Sequence, residues 1–519
     1  MPTEVELKLS ARPADLPQLQ QVLAAKSACG PHPDPPPHAG EGRERARLVG
    51  TYYDTRDRAL LQRGLTLRVR EQHGRYIQTV KAGDLATGGF LERGEWEDAL
   101  SDDRPDLAAP QSGALLPHDI AADLRPIFVT DVTRTLIYVE PIAGTRIETA
   151  IDEGEIRVAD SEAVEPLSEI ELEVKSGEPA ALYDLALQLL EAAPIRIEAR
   201  SKSERGYSLA EGAAAGPQAV HGQPLKLEPG MAAEAFLQKL GRSCLAQVIR
   251  NEAAVLTAQP EAVHQMRVAL RRLRSAVSSL KAVLPEEQRL RVADELRWLA
   301  RSLGRARNLD VFASELLPAA RAGLSEEPGW DDLAARLDGL RRDAYAQIKE
   351  MLLSERYTAT MLRLLRWFES GEWREHQDLA GADLIDAPIG NIAPHLLDRL
   401  RRRVQKRSKR FRRLTAPERH RLRIAAKKLR YTLELFGGIA CGPNSPAFVH
   451  RLKQLQDGLG YANDIRVAHQ FAPELFVNCD SRSPAVHAWI SLLLWHDHAL
   501  IKSERRLIKR VRRLRRLAL

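Results

Sequence analysis

The sequence predicts an α+β protein of more than one domain, in which an antiparallel sheet domain precedes an all-helical domain. The first 210 residues contain short segments where charged and apolar residues alternate with the period of two that strands require. An Ala-, Gly- and Pro-rich segment follows, and beyond it apolar residues recur every three to four positions, as in helices. A chain of 519 residues also exceeds one ordinary core. We therefore predict domains at 1–210 and 228–519, joined by a linker at 211–227.

Two predicted strands carry acidic residues at alternate positions. Their charged residues are, in chain order, Glu4, Glu6 and Lys8 in the first strand and Glu169, Glu171 and Glu173 in the second. One face of each strand is therefore charged and the other is apolar. Carboxylates this close repel unless a cation lies among them, and their hard oxygen atoms suit Mg²⁺ or Mn²⁺. A metal-bound polyanion is the first hypothesis for the ligand.

Other cations lie on or beside further strand-like segments. These residues are Arg68, Arg70, Lys81, Arg134 and Lys202, and the acidic Asp152 lies in a further alternating segment. A solvated outer face explains any one such strand. Several strands that combine carboxylates with Arg and Lys are more typical of a closed barrel with a charged lumen, and antiparallel closure also removes the sheet edges.

The charge of the chain is divided unevenly. Residues 1–215 contain 24 Lys and Arg against 37 Asp and Glu, whereas residues 216–519 contain 53 against 33. An acidic half that could hold metal is thus joined to a basic half that could hold an anionic polymer.

Several classes of protein are disfavoured. The four cysteines have no paired spacing, which predicts neither a zinc site nor a disulfide framework and fits a reducing cytoplasm. The clearest apolar run, Ile490 to Trp495, is too short to span a bilayer, so no membrane insertion is expected. There is no Gly-Lys-Ser/Thr phosphate loop. Few aromatic residues are present for base stacking, which makes single-stranded nucleic acid an unfavoured ligand.

The helical half contains an internal repeat with an offset of 156 residues and no gap. The first copy carries a cationic stripe beside its apolar packing face, and the stripe residues are His264, Arg267, Arg271 and Arg274. The matching residues of the second copy are His420, Arg423, Lys427 and Arg430. A Leu-Gly pair, Leu303-Gly304, recurs as Leu459-Gly460. A duplicated helical bundle explains the recurrence better than chance does.

The acidic and basic strands together supply the groups that phosphoanhydride hydrolysis requires. Divalent ions and cationic side chains neutralise charge on the transferred phosphoryl group, and a water must be oriented in line with the bond that breaks. Arginine suits bidentate contacts with phosphate oxygens, and lysine acts as a point charge.

The N-terminal half resembles the CYTH domain, the triphosphate tunnel metalloenzymes. Glu4-Val5-Glu6-Leu7-Lys8 is similar to the ExExK signature of that family, and the other charged strands follow in the family's order over about residues 1–210. The resemblance implies an eight-stranded antiparallel tunnel that hydrolyses inorganic triphosphate with Mg²⁺ or Mn²⁺. It implies metal ligands at Glu4, Glu6, Asp152, Glu169 and Glu171, with Glu4, Glu6, Lys8, Glu169 and Glu171 as the catalytic set. Phosphate binders would be Lys8, Arg68, Arg70, Lys81, Arg134 and Lys202.

The C-terminal half resembles the CHAD domain, whose paired histidine-bearing helices accompany CYTH domains in bacterial proteins. The resemblance implies two helical bundles related by approximate twofold symmetry and a basic surface that binds inorganic polyphosphate. The polyphosphate-binding residues would be the two stripes named above. Lys427 and Lys428 stand where the first copy has Arg271 and Arg272, which keeps the charge but weakens bidentate contacts. The expected location is the cytoplasm, with polyphosphate granules as a candidate site.

Two other functions remain open from the sequence. The chain could process RNA 5′-triphosphates or nucleotides with a nucleic-acid-binding helical half, or it could be a non-catalytic polyphosphate-binding protein. Adenylate cyclase activity occurs among the family's relatives, but no adenine-recognition feature is visible here.

Overall fold

The computed structural model describes residues 5–27, 43–82, 94–212, 216–374, 379–440, 445–477 and 479–515. The chain forms two compact units, and both are discontinuous in sequence. Unit 1 consists of Met1–Gln223, Leu245–Ala254 and Leu352–Ser370. Unit 2 consists of Pro224–Cys244, Val255–Met351 and Gly371–Leu519. Two short segments from the helical half therefore belong to the same compact unit as the sheet.

Unit 1 is built on one antiparallel sheet. Its strands are β1 (Val5–Ala11), β2 (Arg43–Asp54), β3 (Leu65–Gln72), β4 (Arg75–Ala82), β5 (Gly94–Leu100), β6 (Arg125–Ile142), β7 (Thr145–Val158), β8 (Val164–Ser176) and β9 (Ile195–Ile197).

The sheet has nine strands in the order β5-β4-β3-β2-β6-β7-β8-β1-β9. The expected number of eight is therefore wrong by one, because the three-residue β9 pairs with the end of β1. Over the described stretches β5 and β9 are the two edge strands, and no ladder joins them, so backbone pairing does not close the sheet into a barrel there.

The apolar faces of the strands form the core beneath the sheet. Leu7 and Leu9 of β1 and Ile170 and Leu172 of β8 are buried, as the alternation in the sequence predicts. The helices that accompany the sheet are α1 (Leu16–Ala25), α2 (Ala59–Gln62), α3 (Ala180–Ala192) and α4 (Lys202–Glu211). Helices α1 and α3 pack against the sheet and bury leucine side chains there.

Helix α4 begins with a capping box. The Ser201 side chain accepts a hydrogen bond from the backbone N–H of Glu204, and the Glu204 carboxylate accepts one from the backbone N–H of Ser201. Because this cap fixes the first turn of the helix, it also fixes the position of Lys202, the first helical residue.

The remaining helices follow in the second half of the chain. They are α5 (Ala233–Arg250), α6 (Glu252–Leu256), α7 (Pro260–Ser279), α8 (Glu286–Ser302), α9 (Gly304–Val311), α10 (Leu317–Gly323), α11 (Trp330–Leu352), α12 (Glu355–Ser370), α13 (Leu379–Asp386), α14 (Ile389–Arg407), α15 (Ala416–Ala440), α16 (Ser445–Ala468), α17 (Ala472–Leu475) and α18 (Pro484–Arg515). None of these helices, over the ranges just given, is long and apolar enough to cross a bilayer.

The internal repeat is visible in the helix boundaries. Helix α5 begins at Ala233 and α14 at Ile389, while α7 begins at Pro260 and α15 at Ala416, so both pairs of helices start 156 residues apart. Helix α15 packs against α7 and α14. The two stripe-bearing helices of the repeat are therefore neighbours.

Unit 1 uses its two helical segments as part of its own packing. Helix α12 packs along α3, where Arg366 Nε donates to Asp184 Oδ1 at 2.5 Å. Glu252 accepts hydrogen bonds from Tyr357 Oη at 2.7 Å and from Arg196 Nη2 of β9 at 3.0 Å. Burial, partly opposed by its contacts with Tyr357 and Arg196, raises the pKa of Glu252 to about 7.

Candidate functional site

The register of the sheet arranges the acidic residues in rows across one face. In the β1–β8 ladder Lys8 lies opposite Glu171 and Glu6 lies opposite Glu173. In the β7–β8 ladder Asp152 lies opposite Glu169. Directly opposed residues of antiparallel strands project from the same face, so these carboxylates share one surface. Glu4 lies outside the described residues.

Three of the predicted ligands form a compact cluster. Each of Asp152, Glu169 and Glu171 offers a carboxylate oxygen, and these three oxygens lie within 4.8 Å of one another. Asp152 and Glu169 have no exposed side-chain surface. A cluster of this kind suits a divalent ion, but it is held together by cationic side chains in this structure.

Lys202 is the central cation of the cluster. Its ammonium nitrogen lies 2.8 Å from Asp152 Oδ2 and 3.0 Å from Glu171 Oε1, and it also bonds to Glu169. Arg134 bonds to Asp152 through Nε at 2.8 Å and to Glu171 through Nη2 at 2.6 Å. The start of α4 and the middle of β6 therefore place Lys202 and Arg134, two of the predicted phosphate binders, against these carboxylates.

The ionic network shifts the pKa values of Lys202 and Glu171 in the directions that keep these two side chains charged, whereas the pKa of Glu169 shifts the other way. Burial lowers the pKa of Lys202, but Glu171, Asp152 and Glu169 together hold it well above its usual value. Burial raises the pKa of Glu171, but Lys202, Lys8 and Arg134 hold it well below its usual value. The pKa of Glu169 is raised by burial, because its cationic neighbours do not fully offset desolvation.

Lys8 connects this cluster to a second acidic row. Its ammonium nitrogen lies 3.1 Å from Glu171 Oε1 and 3.3 Å from Glu6 Oε1. Beyond Glu6 the row continues through Glu173 to Glu148, its partner in the β7–β8 ladder. Lys175 lies 2.6 Å from Glu173 and 3.6 Å from Glu148. This outer row is more exposed than the inner cluster.

Arg68 and Arg70, the predicted phosphate binders of β3, face side chains of β4 and β5. Arg68 Nη2 donates to Thr79 Oγ1 at 3.2 Å, and that hydroxyl donates to Glu97 at 2.9 Å. Burial and the nearby cation of Arg68 lower the pKa of Arg70. The Nε atoms of Arg68 and Arg70 are buried and have no hydrogen-bond partner among the described residues. Each of the two guanidinium groups therefore retains a donor that the described residues do not satisfy.

Lys81 is the predicted phosphate binder that lies apart from the inner cluster. It pairs with Glu95 at 2.7 Å across the β4–β5 ladder, and the side chains of both residues are more than one-third exposed. The contacts that the structure gives Lys81 do not include Asp152, Glu169 or Glu171.

Arg205 and Gly50 also shape the site, and neither was predicted from the sequence. Arg205, one turn after Lys202 on α4, bonds to Glu165 at 2.8 Å and lies 3.4 Å from Glu169. Gly50 of β2 makes room beside the arginines, since a Cβ there would lie 2.8 Å from Thr130 Oγ1 and 3.3 Å from Arg68 Cδ. The three-residue spacing of Lys202 and Arg205 on one helix was the available signal for Arg205.

In unit 2 the two cationic stripes converge. Arg271 of the first copy and Arg430 of the second both lie over the ring of Tyr431, at 5.6 and 4.9 Å from its centre. Four stripe guanidinium groups have a buried Nε without a hydrogen-bond partner in the described chain, and these belong to Arg267, Arg271, Arg423 and Arg430. Cations from both copies of the repeat therefore share one site, and some of their N–H groups donate no hydrogen bond within the described chain.

The surroundings of this site lower the pKa values of its basic side chains, which disfavours their charged forms. Burial and the neighbouring Arg423 and Arg271 lower the pKa of Lys427 to about 7. Burial, Arg307 and Arg271 lower the pKa of His264 to about 4, so the imidazole is neutral at physiological pH. Arg307 and Asp464 also belong to this site, since Arg307 acts on the charges of both His264 and Asp464. Neither residue was predicted from the sequence, although each follows one of the repeated Leu-Gly pairs closely.

Arg274 and His420 stand at the margins of this arrangement. Burial and two α8 residues, Arg297 and Arg301, lower the pKa of Arg274, which places that side chain against α8. His420 is exposed, unlike its repeat partner His264.

Family models match both halves of the chain. The CYTH domain model matches residues 40–207, and the CHAD domain model matches residues 239–473. The chain is a fusion of a CYTH domain and a CHAD domain. The CYTH match begins after β1, so it does not include the Glu4–Lys8 motif.

A curated relative matches part of the chain. An inorganic triphosphatase of Haemophilus influenzae is 33% identical over 208 residues, which cover 40% of this chain and 54% of the relative. The chain thus spans about half the length of that relative.

Solved structures similar to each half were also found. The CHAD domain from the plant Ricinus communis is 29% identical, with a TM-score of 0.47 over 57% of this chain and 96% of that one. A putative adenylyl cyclase from Hippeastrum, described as having a dominant triphosphatase activity, is 14% identical, with a TM-score of 0.29 over 40% of this chain and 96% of that one.

Proposed function

We propose that the CYTH domain hydrolyses a phosphoanhydride bond of inorganic triphosphate in a reaction that depends on Mg²⁺ or Mn²⁺. The observation that carries this proposal is the set of acidic rows on one face of the sheet, whose cation Arg134 also acts on the charge of Arg70, a β3 arginine with an unpartnered Nε. The name of the Haemophilus influenzae relative, an inorganic triphosphatase, supports it.

The cations divide into two groups by their partners. Lys202 and Arg134 are already engaged by carboxylates at 2.6 to 3.0 Å. Arg68 and Arg70 keep buried donors without acceptors, so a phosphate group placed beside them gains hydrogen bonds that nothing else supplies. We assign Arg68 and Arg70 the first contact with substrate phosphates, with Lys8, Lys81, Arg134 and Lys202 around them.

The residues present fit a divalent metal ion, and at each group of carboxylates such an ion meets a lysine side chain. A metal ion among Asp152, Glu169 and Glu171 has to displace the ammonium of Lys202, which contacts all three. Beside this cluster, Lys8 bridges Glu6 and Glu171, and Glu173, which pairs with Lys175, stands opposite Glu6. Lys8 and Lys175 are more exposed than Lys202, so a metal ion displaces them at a lower cost. We therefore assign the metal to Glu6, Glu171 and Glu173, with Glu4 as a further candidate, and assign Asp152 and Glu169 the task of holding Lys202.

In this arrangement the chain binds and orients the substrate. The guanidinium groups of Arg68, Arg70 and Arg134 neutralise phosphate oxygens, which lowers the repulsion that an attacking water meets. Lys202 and Lys8, kept protonated by their carboxylate partners, stabilise the charge on the leaving phosphate without supplying a proton at neutral pH. A bound divalent ion would supply Lewis-acid stabilisation of the phosphoryl oxygens.

For the CHAD domain we propose binding of inorganic polyphosphate at the site where the two stripes converge. Three buried guanidinium Nε atoms without partners, those of Arg267, Arg271 and Arg423, and a lysine whose pKa is lowered to about 7 indicate cations that an anion would stabilise. The fourth, Arg430 Nε, lies 3.4 Å from Glu434 Oε1. Tyr431 is the one aromatic ring that we place at this site, which favours a polymer recognised by charge over one recognised by base stacking.

A substrate panel tests the proposal. Release of orthophosphate is measured from inorganic triphosphate, thiamine triphosphate, ATP and RNA 5′-triphosphate, each with Mg²⁺ and with Mn²⁺. We expect inorganic triphosphate to have the highest kcat/KM. A preference for RNA ends, together with displacement of polyphosphate by RNA at physiological salt, would establish the nucleic-acid-processing alternative instead.

A further inference from the structure

Two adjacent lysines of α15 lie in different charged surroundings. The cations that lower the pKa of Lys427 belong to the stripes, namely Arg423 and Arg271 together with Arg430. Those around Lys428 form a different set, which consists of Arg399, Arg403, Lys281 and Arg289. The two sets share no member. Consecutive helical residues point about 100° apart, so one helix presents two separate cationic surfaces.

The surroundings of Lys428 are assembled from helices α8, α14 and α15 and the turn that follows α7. Helix α14 packs along α15, and its Arg399 and Arg403 are four residues apart and so lie on one face. Arg399 Nη2 donates to the carbonyl of Ser279 at 3.2 Å, at the end of α7 and two residues before Lys281. Arg289 lies in the first turn of α8. We call these five residues the Lys428 cluster.

The Lys428 cluster has almost no counter-charge. Arg289 has one carboxylate neighbour, Glu286, at 3.5 Å, and that side chain is 81% exposed. The Nε atom of Arg289 is buried and has no partner in the described chain. Throughout the residues that the structure describes, no carboxylate lies within 4.0 Å of the charged nitrogens of Lys428 or Arg403. Burial and the neighbouring cations lower the pKa of Lys428 to about 8.

The internal repeat indicates that the fold does not require this cluster. At an offset of 156 residues the positions of Arg399, Arg403, Lys428, Lys281 and Arg289 correspond to Ser243, Gln247, Arg272, Gly437 and Ser445. One of the five counterparts is basic. The equivalent helices of the other copy therefore form without these cations. The five cations of the cluster repel one another, and the other copy shows no structural need for them.

We propose that the Lys428 cluster binds phosphate groups of inorganic polyphosphate as a second contact, separate from the site where the stripes converge. A condensed phosphate chain offers closely spaced anionic oxygens, and it can engage two cationic surfaces of the same helical domain at once. The inference rests on the proposed polyphosphate binding of the CHAD domain.

The test compares three full-length double variants for binding of fluorescently labelled polyphosphate, measured by anisotropy in EDTA at several salt concentrations. The cluster variant is Lys428→Gln with Arg403→Gln, and the stripe variant is Arg267→Gln with Arg423→Gln. The matched control is Arg505→Gln with Lys509→Gln, which removes two exposed charges from α18. We expect the cluster variant to raise Kd by about tenfold and to weaken the salt dependence, while the control changes Kd by less than about twofold.

The outcomes separate the two proposals. If the stripe variant loses affinity while the cluster variant behaves like the control, the second contact is refuted and the proposed function stands. If the wild-type protein does not bind polyphosphate, or prefers duplex RNA, both fall. The charge-retaining variant Lys428→Arg with Arg403→Lys should restore binding to within about threefold of the wild-type protein. Failure to restore it with unchanged thermal unfolding would also overturn the inference.

Discussion

Glu6 of β1 and Glu173 of β8 stand directly opposite each other in the antiparallel ladder, and their side chains project from the same face. Lys8 connects Glu6 to Glu171, whereas Lys175 accompanies Glu173. This pairing, together with the engagement of Asp152 and Glu169 by Lys202, is the reason for assigning the metal to Glu6, Glu171 and Glu173.

Replacing Glu173 by Gln should weaken metal binding. The substitution removes one charged oxygen ligand and keeps the shape of the side chain, so we expect a loss of Mn²⁺ affinity of about 10- to 100-fold. Calorimetric titration of the full chain with Mn²⁺ measures it. Glu162→Gln, at an exposed turn, is the control with the same charge change. Unchanged affinity in the Glu173 variant would place the metal elsewhere.

Replacing Lys202 by Met should destabilise unit 1. The change leaves three clustered carboxylates with one fewer cation, and breaking a buried ion pair costs about 3–5 kcal/mol. Urea unfolding followed by circular dichroism measures the loss. The partly exposed Lys175→Met should cost under about 1 kcal/mol. Equal effects for the two variants would mean that the inner cluster is not a stabilising ionic centre.

Polyphosphate binding should take up protons near neutral pH. In the free protein Lys427 has a pKa of about 7, and a bound polyanion should raise it, so binding at pH 8 draws a proton from solution. Affinity should therefore weaken as pH rises above 7. Calorimetry in buffers of different ionisation enthalpy measures the proton uptake. Lys427→Arg, which stays charged, should take up less than the wild-type protein, and equal uptake would refute this role.

The stability of unit 1 should decrease between about pH 5 and 8. Glu252 has a folded-state pKa of about 7 against 4.5 unfolded, so the folded form holds the extra proton in this interval and loses that advantage as pH rises. The expected change is up to about 3 kcal/mol. Unfolding midpoints at several pH values measure it. Glu252→Gln should remove this slope, and an identical slope in the variant would assign it to other groups.

The strands and their charged faces could be predicted because period-two alternation is a local property of the chain. Glu6, Lys8, Glu169 and Glu171 lie on one face for that reason. The short β9 could not be predicted, since three residues carry too little pattern. The assignment of Leu245–Ala254 and Leu352–Ser370 to the sheet unit also escaped, because membership of a compact unit depends on tertiary packing.

The internal arrangement of the site was harder to predict than its composition. The sequence named Asp152, Glu169, Glu171 and Lys202, but it did not reveal that one ammonium group contacts all three carboxylates. That contact depends on where α4 begins relative to β7 and β8, and such long-range geometry leaves no periodic signal. The repeat offset, in contrast, predicted the matching starts of α7 and α15.

The account is tested most directly by orthophosphate release from inorganic triphosphate by the full chain with Mg²⁺, with Mn²⁺ and with EDTA. We predict turnover with either ion, none in EDTA, and a loss of at least about 100-fold in kcat for Glu171→Gln with polyphosphate binding unchanged. Hydrolysis that persists in EDTA, or that survives Glu171→Gln at the wild-type rate, would contradict it.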